Sequence, residues 1–486
     1  MTKHEPKHLS CECCILGAGP AGFGAALELI KAGVRDVIVV DQNKIVGGLA
    51  RTESFDGNRF DIGPHRFYTK NEEIRKLWTD TLGDDFRPVA RTTRILYKNK
   101  LFSYPLRSFE SLYKLGILES LDAVYSFGLS RLSAQGEATN VEDWIVRQFG
   151  RKLYETFFKT YTEKVWGISC KEISAEWAAQ RIKGLDLAQA LKRALRLKRS
   201  EEPKTLVERF DYPVLGAGQM YEVMAGRVAD GGGRILLNHR VKGFNRKDAA
   251  ITSVDVAPHS GDNLRISARQ FFNSIPLTSF VQLLVPAAPS EALEAAKSLY
   301  YRDHITVNLL IDKPKVFPDQ WIYVHSPEVQ MARVANYNNF SDRMVKVPGH
   351  TGLSVEYFVF QHEALWRQPD EAIKELAISE LQLVRLVDPR TVRQAWVVRE
   401  TQSYPTYYLG FQKPYGVILS YIDHFENIYP IGRGGLYKYN NQDHSALSGI
   451  LAARNYLKVT PEPYNLWNIN IDAEYVESGA YREASH

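Results

Sequence analysis

Three glycines, Gly17, Gly19 and Gly22 in the run GAGPAG, are spaced so that a peptide backbone can close on a diphosphate. In a G-x-G-x-x-G pattern the first glycine permits a tight turn and the second lets backbone approach the pyrophosphate. The third seats the following helix against its strand. The flanks agree: CECCIL (11–16) reads as a short buried strand, AGFGAALELIKAG as a helix stopped at Gly33, and DVIVVD as a β-branched strand ending in Asp41. A carboxylate there can accept hydrogen bonds from both ribose hydroxyls of an adenosine, and it argues against a 2′-phosphate in this site. Strand, glycines, helix, strand and acid within about 30 residues predict a dinucleotide-binding unit. A second run, GAGQMY (216–221), lacks the third glycine and follows no clear strand, which leaves one complete fingerprint.

The next residues narrow the dinucleotide. GGLART (47–52) follows the second strand and resembles the GG-x-x-R-[ST] element of the amine-oxidase-like flavoproteins. That resemblance implies FAD, with Gly48 admitting the pyrophosphate closely and Arg51 adding positive charge.

Four further blocks resemble the UDP-galactopyranose mutases. DIGPHRFYTKNEEI (61–74) is similar to their histidine loop, and KVWGISCKEISAEWAAQRIK (164–183) to a helix of the eukaryotic members. WIYVHSPEVQMAR (321–333) keeps the W-x-Y-x₉-R spacing of a diphosphate-binding strand pair, and GRGGLYKYNNQDHS (432–445) resembles the C-terminal flavin segment. The resemblance implies that His65 lies against the flavin and that Arg181 and Arg433 line the sugar–flavin cleft. It implies that Arg333 neutralises the diphosphate, with Tyr323, Tyr404 and Tyr439 donating hydroxyl hydrogen bonds. Asn441, Gln442 and Ser445 would contact the flavin from the start of the last helix, with Gly63, Val241 and Gly432 completing the cofactor set. Two departures stand out. Phe340 occupies a position seven residues past Arg333 where the family has a tyrosine, and the spacer from Tyr439 to NQDHS is two residues shorter than in the eukaryotic members.

Diphosphate recognition needs cationic forks and hydroxyl donors converging on one anion, and a guanidinium matches phosphate with two parallel bonds. The resemblance therefore implies a nucleotide-sugar pyranose/furanose mutase in which reduced flavin N5 is the nucleophile on the anomeric carbon. NAD(P)H would supply the initial reduction, and the product would suit polysaccharide biosynthesis. The competing reading is an oxidoreductase of the protoporphyrinogen-oxidase or amine-oxidase type, whose aromatic pocket needs no cluster of arginines. A third reading is a flavin-stabilised scaffold that uses the basic segment ALKRALRLKRS (190–200) to hold a partner.

The elements that must position these residues follow from pattern and composition. The 486 residues exceed one hydrophobic core, and 44% hydrophobic with 24% charged residues is ordinary globular composition. We expect an α/β chain: a Rossmann-like FAD-binding domain from 10–105, 205–290 and 400–486, a helical insert at 106–204, and an antiparallel-sheet substrate domain at 291–399. Within the insert, Trp144, Phe149, Leu153, Phe157 and Tyr161 are spaced as one apolar helix face running from Val141 to Val165, and 175–183 reads as a second helix. ITVNLLID, WIYVHS, ARVANYN and GLSVEYFVF alternate as strands do. Cys11, Cys13 and Cys14 lack a second ligand cluster and read as small core residues, so no metal is expected. A net charge of +5 does not indicate a nucleic-acid binder. No apolar run of about 18 residues and no signal-peptide core appear, and a cytoplasmic protein is expected, with a homo-oligomer left open.

Overall fold

The CECCIL run folds as the buried half of strand β1 (Lys7–Leu16), with Cys13, Cys14, Ile15 and Leu16 fully enclosed. Helix α1 (Pro20–Lys31) follows with proline in its first turn, where a missing N–H costs nothing. Strand β2 (Val37–Val40) pairs parallel to β1. This computed structural model describes residues 6–104, 113–133, 138–175 and 209–469.

Two large sheets organise the described chain. The first has eight strands: β1 lies between β2 and Leu264–Asn273, both parallel to it, and His239–Lys247 and Ala250–Pro258 extend the sheet antiparallel. Helix α1 buries Phe23, Ala25, Ala26 and Leu29 beneath this sheet, against helices Gly218–Asp230 and Gln442–Leu457. The second sheet has seven strands, ordered Val392–Pro405, Tyr301–Ile311, Thr351–Val359, Arg333–Asn336, Trp321–Val324, Thr93–Tyr97 and Lys100–Ser103. Only the Trp321–Val324 and Thr93–Tyr97 pair runs parallel. Tyr301–Ile311 and Thr351–Val359 are buried throughout, as central strands covered on both faces. The chain is thus mixed α/β, as expected.

Details of the organisation differ from the sequence pattern. Strands Thr93–Tyr97 and Lys100–Ser103, within the first segment expected for the flavin unit, extend the second sheet. Strand Val392–Pro405 runs straight through the expected boundary at 399/400. The continuous helix Val141–Val165 is broken into Val141–Phe149, Arg151–Tyr154 and Thr160–Trp166, with a π turn at Glu155–Lys159. The cause is Gly150: its φ is +82°, and a Cβ there would come within 2.7 Å of the Phe127 backbone nitrogen. The apolar periodicity survives the break because each piece still turns its face inward. GAGQMY does follow a strand, Arg209–Pro213, but its glycines are filled: a Cβ on Gly216 would meet Thr52 Oγ1 at 2.5 Å. The run packs against the flavin unit's own turn and holds no phosphate cradle. The expected helix at 175–183 extends outside the described residues, and Arg181 and the basic segment 190–200 lie outside them.

Candidate active site

Between the two sheets lies a cavity of roughly 730 Å³. Its floor begins at the end of β1. Gly17 takes a φ of +112°, and a Cβ on Gly22 would sit 1.9 Å from the Gly17 carbonyl oxygen, so the helix can start where it does only with glycine there. Gly19 faces Gly48 across the cavity edge, with 3.6 Å from its notional Cβ to the Gly48 Cα. Two backbones thus approach with no side chain between them. Asp41 closes this end; its carboxylate accepts from the Ala18 N–H at 2.7 Å and the Asn43 N–H at 2.8 Å. Each oxygen keeps a lone pair for a hydroxyl.

Gln442, Asn441 and Ser445 stand at the start of helix Gln442–Leu457 and line the same cavity. Tyr221 donates to Gln442 Oε1 at 2.6 Å, which leaves the Gln442 amide nitrogen, like that of Asn441, buried without a partner among the described residues. Orphaned donors at a helix N-terminus are suited to the carbonyls and ring nitrogens of an electron-rich heterocycle. Gly63, Val241 and Gly432 also line the cavity. The glycine cradle, Asp41 and these amides together fit a flavin dinucleotide.

Arg51 departs from expectation. It does not line the cavity, and its charge is taken up by two carboxylates, with Nε to Glu53 at 2.8 Å and a terminal nitrogen to Glu400 at 2.6 Å. Another nitrogen donates to the Gly48 carbonyl at 3.0 Å. Arg51 therefore fixes the glycine turn and ties it to the second sheet rather than offering free charge to a pyrophosphate.

The same cavity carries charge. Arg333 and Arg433 both line the cavity with His65, Tyr323, Tyr404 and Tyr439. Arg333 pairs with Glu356 through Nε at 3.1 Å and through a second, shorter contact, and its guanidinium lies 5.4 Å from the Phe358 ring centroid. Arg433 donates to the Asn440 and Ser403 carbonyls at 2.9 and 3.2 Å. It also sits over the rings of Tyr404 and Tyr439, at 4.8 and 5.1 Å, which stack on each other at 5.3 Å. Among the described residues no carboxylate forms a salt bridge with Arg433, so its charge stays available to an anion. His65 is half-buried with its Nδ1 enclosed; desolvation, then Arg433 and Arg333, push its imidazole down to about 3, so it is neutral at pH 7.

Sequence reasoning missed several residues that line the cavity or pack behind its lining. Tyr161 stacks on His325 at 4.7 Å and meets Tyr323 edge-on at 5.4 Å, although its helical spacing marks it as core. Trp321 and Tyr104 also line the cavity, and the Arg91 guanidinium lies against both rings, at 5.5 and 5.4 Å. Its three nitrogens are buried with no hydrogen-bond partner among the described residues. His304, on the central strand Tyr301–Ile311, contacts Ser403 Oγ at 2.8 Å, and burial, Arg333 and Arg51 push it down to about 3. The W-x-Y spacing could have pointed to Trp321; nothing local marks Arg91 or His304.

Comparison with known proteins agrees with this architecture. The sequence profile of flavin-containing amine oxidoreductases matches residues 20–437. The chain is 27% identical over 168 residues to a dTDP-fucopyranose mutase of Escherichia coli, covering 33% of this chain and 43% of that protein. It is 27% identical over 169 residues to a probable UDP-galactopyranose mutase of Klebsiella pneumoniae, covering 33% and 42%. The matched region thus spans less than half the length of these curated relatives. Among solved structures, that of a reduced UDP-galactopyranose mutase superposes with a TM-score of 0.81 at 19% identity, covering 96% of this chain and 99% of that one. A putative protoporphyrinogen oxidase from Exiguobacterium sp. 255-15 gives 0.68 at 16%, covering 94% and 100%. A putrescine oxidase bound to putrescine gives 0.60 at 16%, covering 93% and 99%. At these identities the superpositions describe a shared fold.

Proposed function

The chain belongs to the flavin-containing amine oxidoreductase family, and from that premise we propose that it is an FAD-dependent mutase interconverting the pyranose and furanose forms of a nucleoside-diphosphate sugar. One observation carries the reading: Arg333 and Arg433 line one cavity together with Tyr323, Tyr404 and Tyr439, the glycines Gly17, Gly19 and Gly48, and the orphaned amides of Asn441 and Gln442. When bound and reduced, the flavin supplies a nucleophilic ring nitrogen, N5, to the anomeric carbon. The chain's residues do the rest. Arg433, with its unneutralised charge, and Arg333, held by Glu356, stabilise the departing diphosphate and keep it close for return. Tyr323, Tyr404 and Tyr439 donate hydroxyl hydrogen bonds to it. Neutral His65 adds no third cation to the wall and can hydrogen-bond in either direction. Phe157, Trp166 and Tyr161 line the remaining wall and limit the entry of water.

The family includes amine oxidation, and a putrescine oxidase shares the fold. A protonated amine would meet like charge at Arg433, which weighs against that chemistry here. Partial identity to two mutases adds support for ring interconversion. The test is to reduce the purified protein and follow nucleotide hexoses by chromatography. Furanose and pyranose forms should reach the same equilibrium from either side, NAD(P)H should substitute for a chemical reductant, and no conversion should occur with the protein oxidised. An unchanged sugar in every condition rejects the reading.

A further inference from the structure

The hairpin that carries Tyr323 and Arg333 is gripped by two charged side chains of opposite sign. Tyr323 and Arg333 are register partners on strands Trp321–Val324 and Arg333–Asn336, so the turn between the strands, residues 325–332, governs how both meet the cavity. Lys164, half-buried on helix Thr160–Trp166 of the helical insert, holds that turn by its carbonyls. Its ammonium donates to Val324 at 3.2 Å, Ser326 at 2.7 Å and Met331 at 3.0 Å, which uses all three N–H groups. Glu380, on helix Asp370–Leu383, holds the same turn by its amides. Its buried carboxylate accepts from the Gln330 and Met331 N–H groups and from the Tyr357 hydroxyl. Met331 is thus fixed twice, its carbonyl by the cation and its N–H by the anion.

An ordinary hairpin turn needs neither charge. Among the described residues no carboxylate forms a salt bridge with Lys164, and drawing an ammonium out of solvent without an ion partner costs free energy. Burial pushes Lys164 down to about 8 against the pull of Glu380 and Glu328, so it still carries its charge at pH 7. What the charge holds is backbone next to the site. Val324 directly follows Tyr323, and Met331 lies two residues before Arg333. The same short helix presents Tyr161, whose ring meets Tyr323 edge-on at 5.4 Å and stacks on His325, the first residue of the turn, at 4.7 Å. Lys164 therefore ties the helical insert to the two strands that aim a hydroxyl and a guanidinium into the cavity.

We propose that Lys164 is a positioning residue, which acts through the 325–332 turn to set Tyr323 and Arg333 for a diphosphate. The role rests on the mutase reading above and deepens it. The test is calorimetric titration of the full, flavin-loaded chain with UDP. Lys164→Met keeps the aliphatic stem and removes the ammonium. UDP affinity should fall about tenfold in the wild-type background and about tenfold again beside Arg433→Gln, but only about threefold beside Tyr323→Phe, because residues linked through one turn lose the same contact once. Flavin content and circular dichroism should not change. Hydrogen exchange should quicken in residues 325–332 while strand Tyr301–Ile311 stays protected. Glu380→Gln loosens the same turn from the anionic side and should repeat the pattern, which supplies the test should Lys164→Met fold poorly. UDP binding by the wild type, with equal losses in all three backgrounds or with unchanged exchange in the turn, overturns the positioning role alone. No UDP binding by the wild type overturns the mutase reading and this role together.

Discussion

Arg333 and Glu356 sit directly opposite each other across the antiparallel strands Arg333–Asn336 and Thr351–Val359, and both carboxylate oxygens of Glu356 engage the guanidinium. Glu356 is almost fully enclosed, so the pair is set by the sheet rather than by solvent. Removing Arg333 takes away a fork aimed at the cavity and strands a buried carboxylate. We expect Arg333→Ala to lower kcat/KM for a nucleotide sugar by about 10²–10³, as loss of one preorganised donor does. The bound-flavin spectrum should persist. Arg333→Lys should recover only part of the loss, because an ammonium cannot reproduce both contacts with Glu356. Steady-state kinetics alongside flavin absorbance checks both; full activity in Arg333→Ala removes the residue from the site.

Arg433 should behave differently, since its charge is balanced by no carboxylate among the described residues. Arg433→Gln keeps a polar side chain near the Tyr404–Tyr439 stack but deletes the cation. A rise in KM with salt-insensitive residual binding is expected, whereas wild-type affinity should fall as ionic strength rises. Titration calorimetry with a nucleoside diphosphate at two salt concentrations reads this directly. Equal salt dependence in both proteins would place the binding charge elsewhere.

Flavin retention should depend on the glycine turn. Adding one methyl at Gly22 forces it against the Gly17 carbonyl, at a notional 1.9 Å. Gly22→Ala should therefore purify with little or no flavin and with a lower Tm, by an overpacking cost of about 1–3 kcal/mol. A yellow Gly22→Ala protein of normal stability would contradict the cradle.

The buried imidazoles set a pH dependence of stability. His65, His304 and His325 are each pushed from 6.5 to about 3, chiefly by burial. Between those values the unfolded chain binds protons that the folded chain refuses, so stability is lost as pH falls through that window. Asp61 opposes this: burial raises it from 3.8 to about 6, so its contribution is present below 3.8 and lost as pH rises through 6. Burial raises Asp41, Asp211, Asp303 and Glu400 as well, so the histidine contribution is isolated by substitution rather than read from the wild-type slope. His304→Asn should flatten the slope by up to about 1.4 kcal/mol per pH unit, one proton's worth. Calorimetric scans of the wild type and this variant across the range check it; the same dependence of Tm on pH in both would refute the assignment.

How much could be read beforehand depended on sequence distance. The turn from Gly17 to Gly22 and the acid at Asp41 were legible because one βαβ stretch contains the whole device. Arg51 misled because Glu400, one of the two carboxylates that take its charge, arrives from the far end of the chain, and the nearby Glu53 does not by itself show that the guanidinium will be neutralised. Tyr161 read as core because its helical spacing is that of a buried face; the structure turns that face onto His325 and Tyr323 at the cavity. Strands Thr93–Tyr97 and Lys100–Ser103 alternate as strands should, yet which sheet they join is decided by pairing with Trp321–Val324. The broken helix at Gly150 was signalled by the glycine itself, whose strain against Phe127 only the tertiary contact reveals.

The central claim is that this cavity holds a sugar diphosphate beside a reduced flavin and returns it with a different ring. The most direct measurement follows a nucleotide hexofuranose by chromatography with the dithionite-reduced protein, the oxidised protein and reduced R333A/R433A. Conversion to the pyranose by the first alone, with no net consumption of reductant, is the expected result. Failure of the reduced wild type to convert any nucleotide sugar, with the oxidised protein instead consuming oxygen in the presence of an amine, would contradict it.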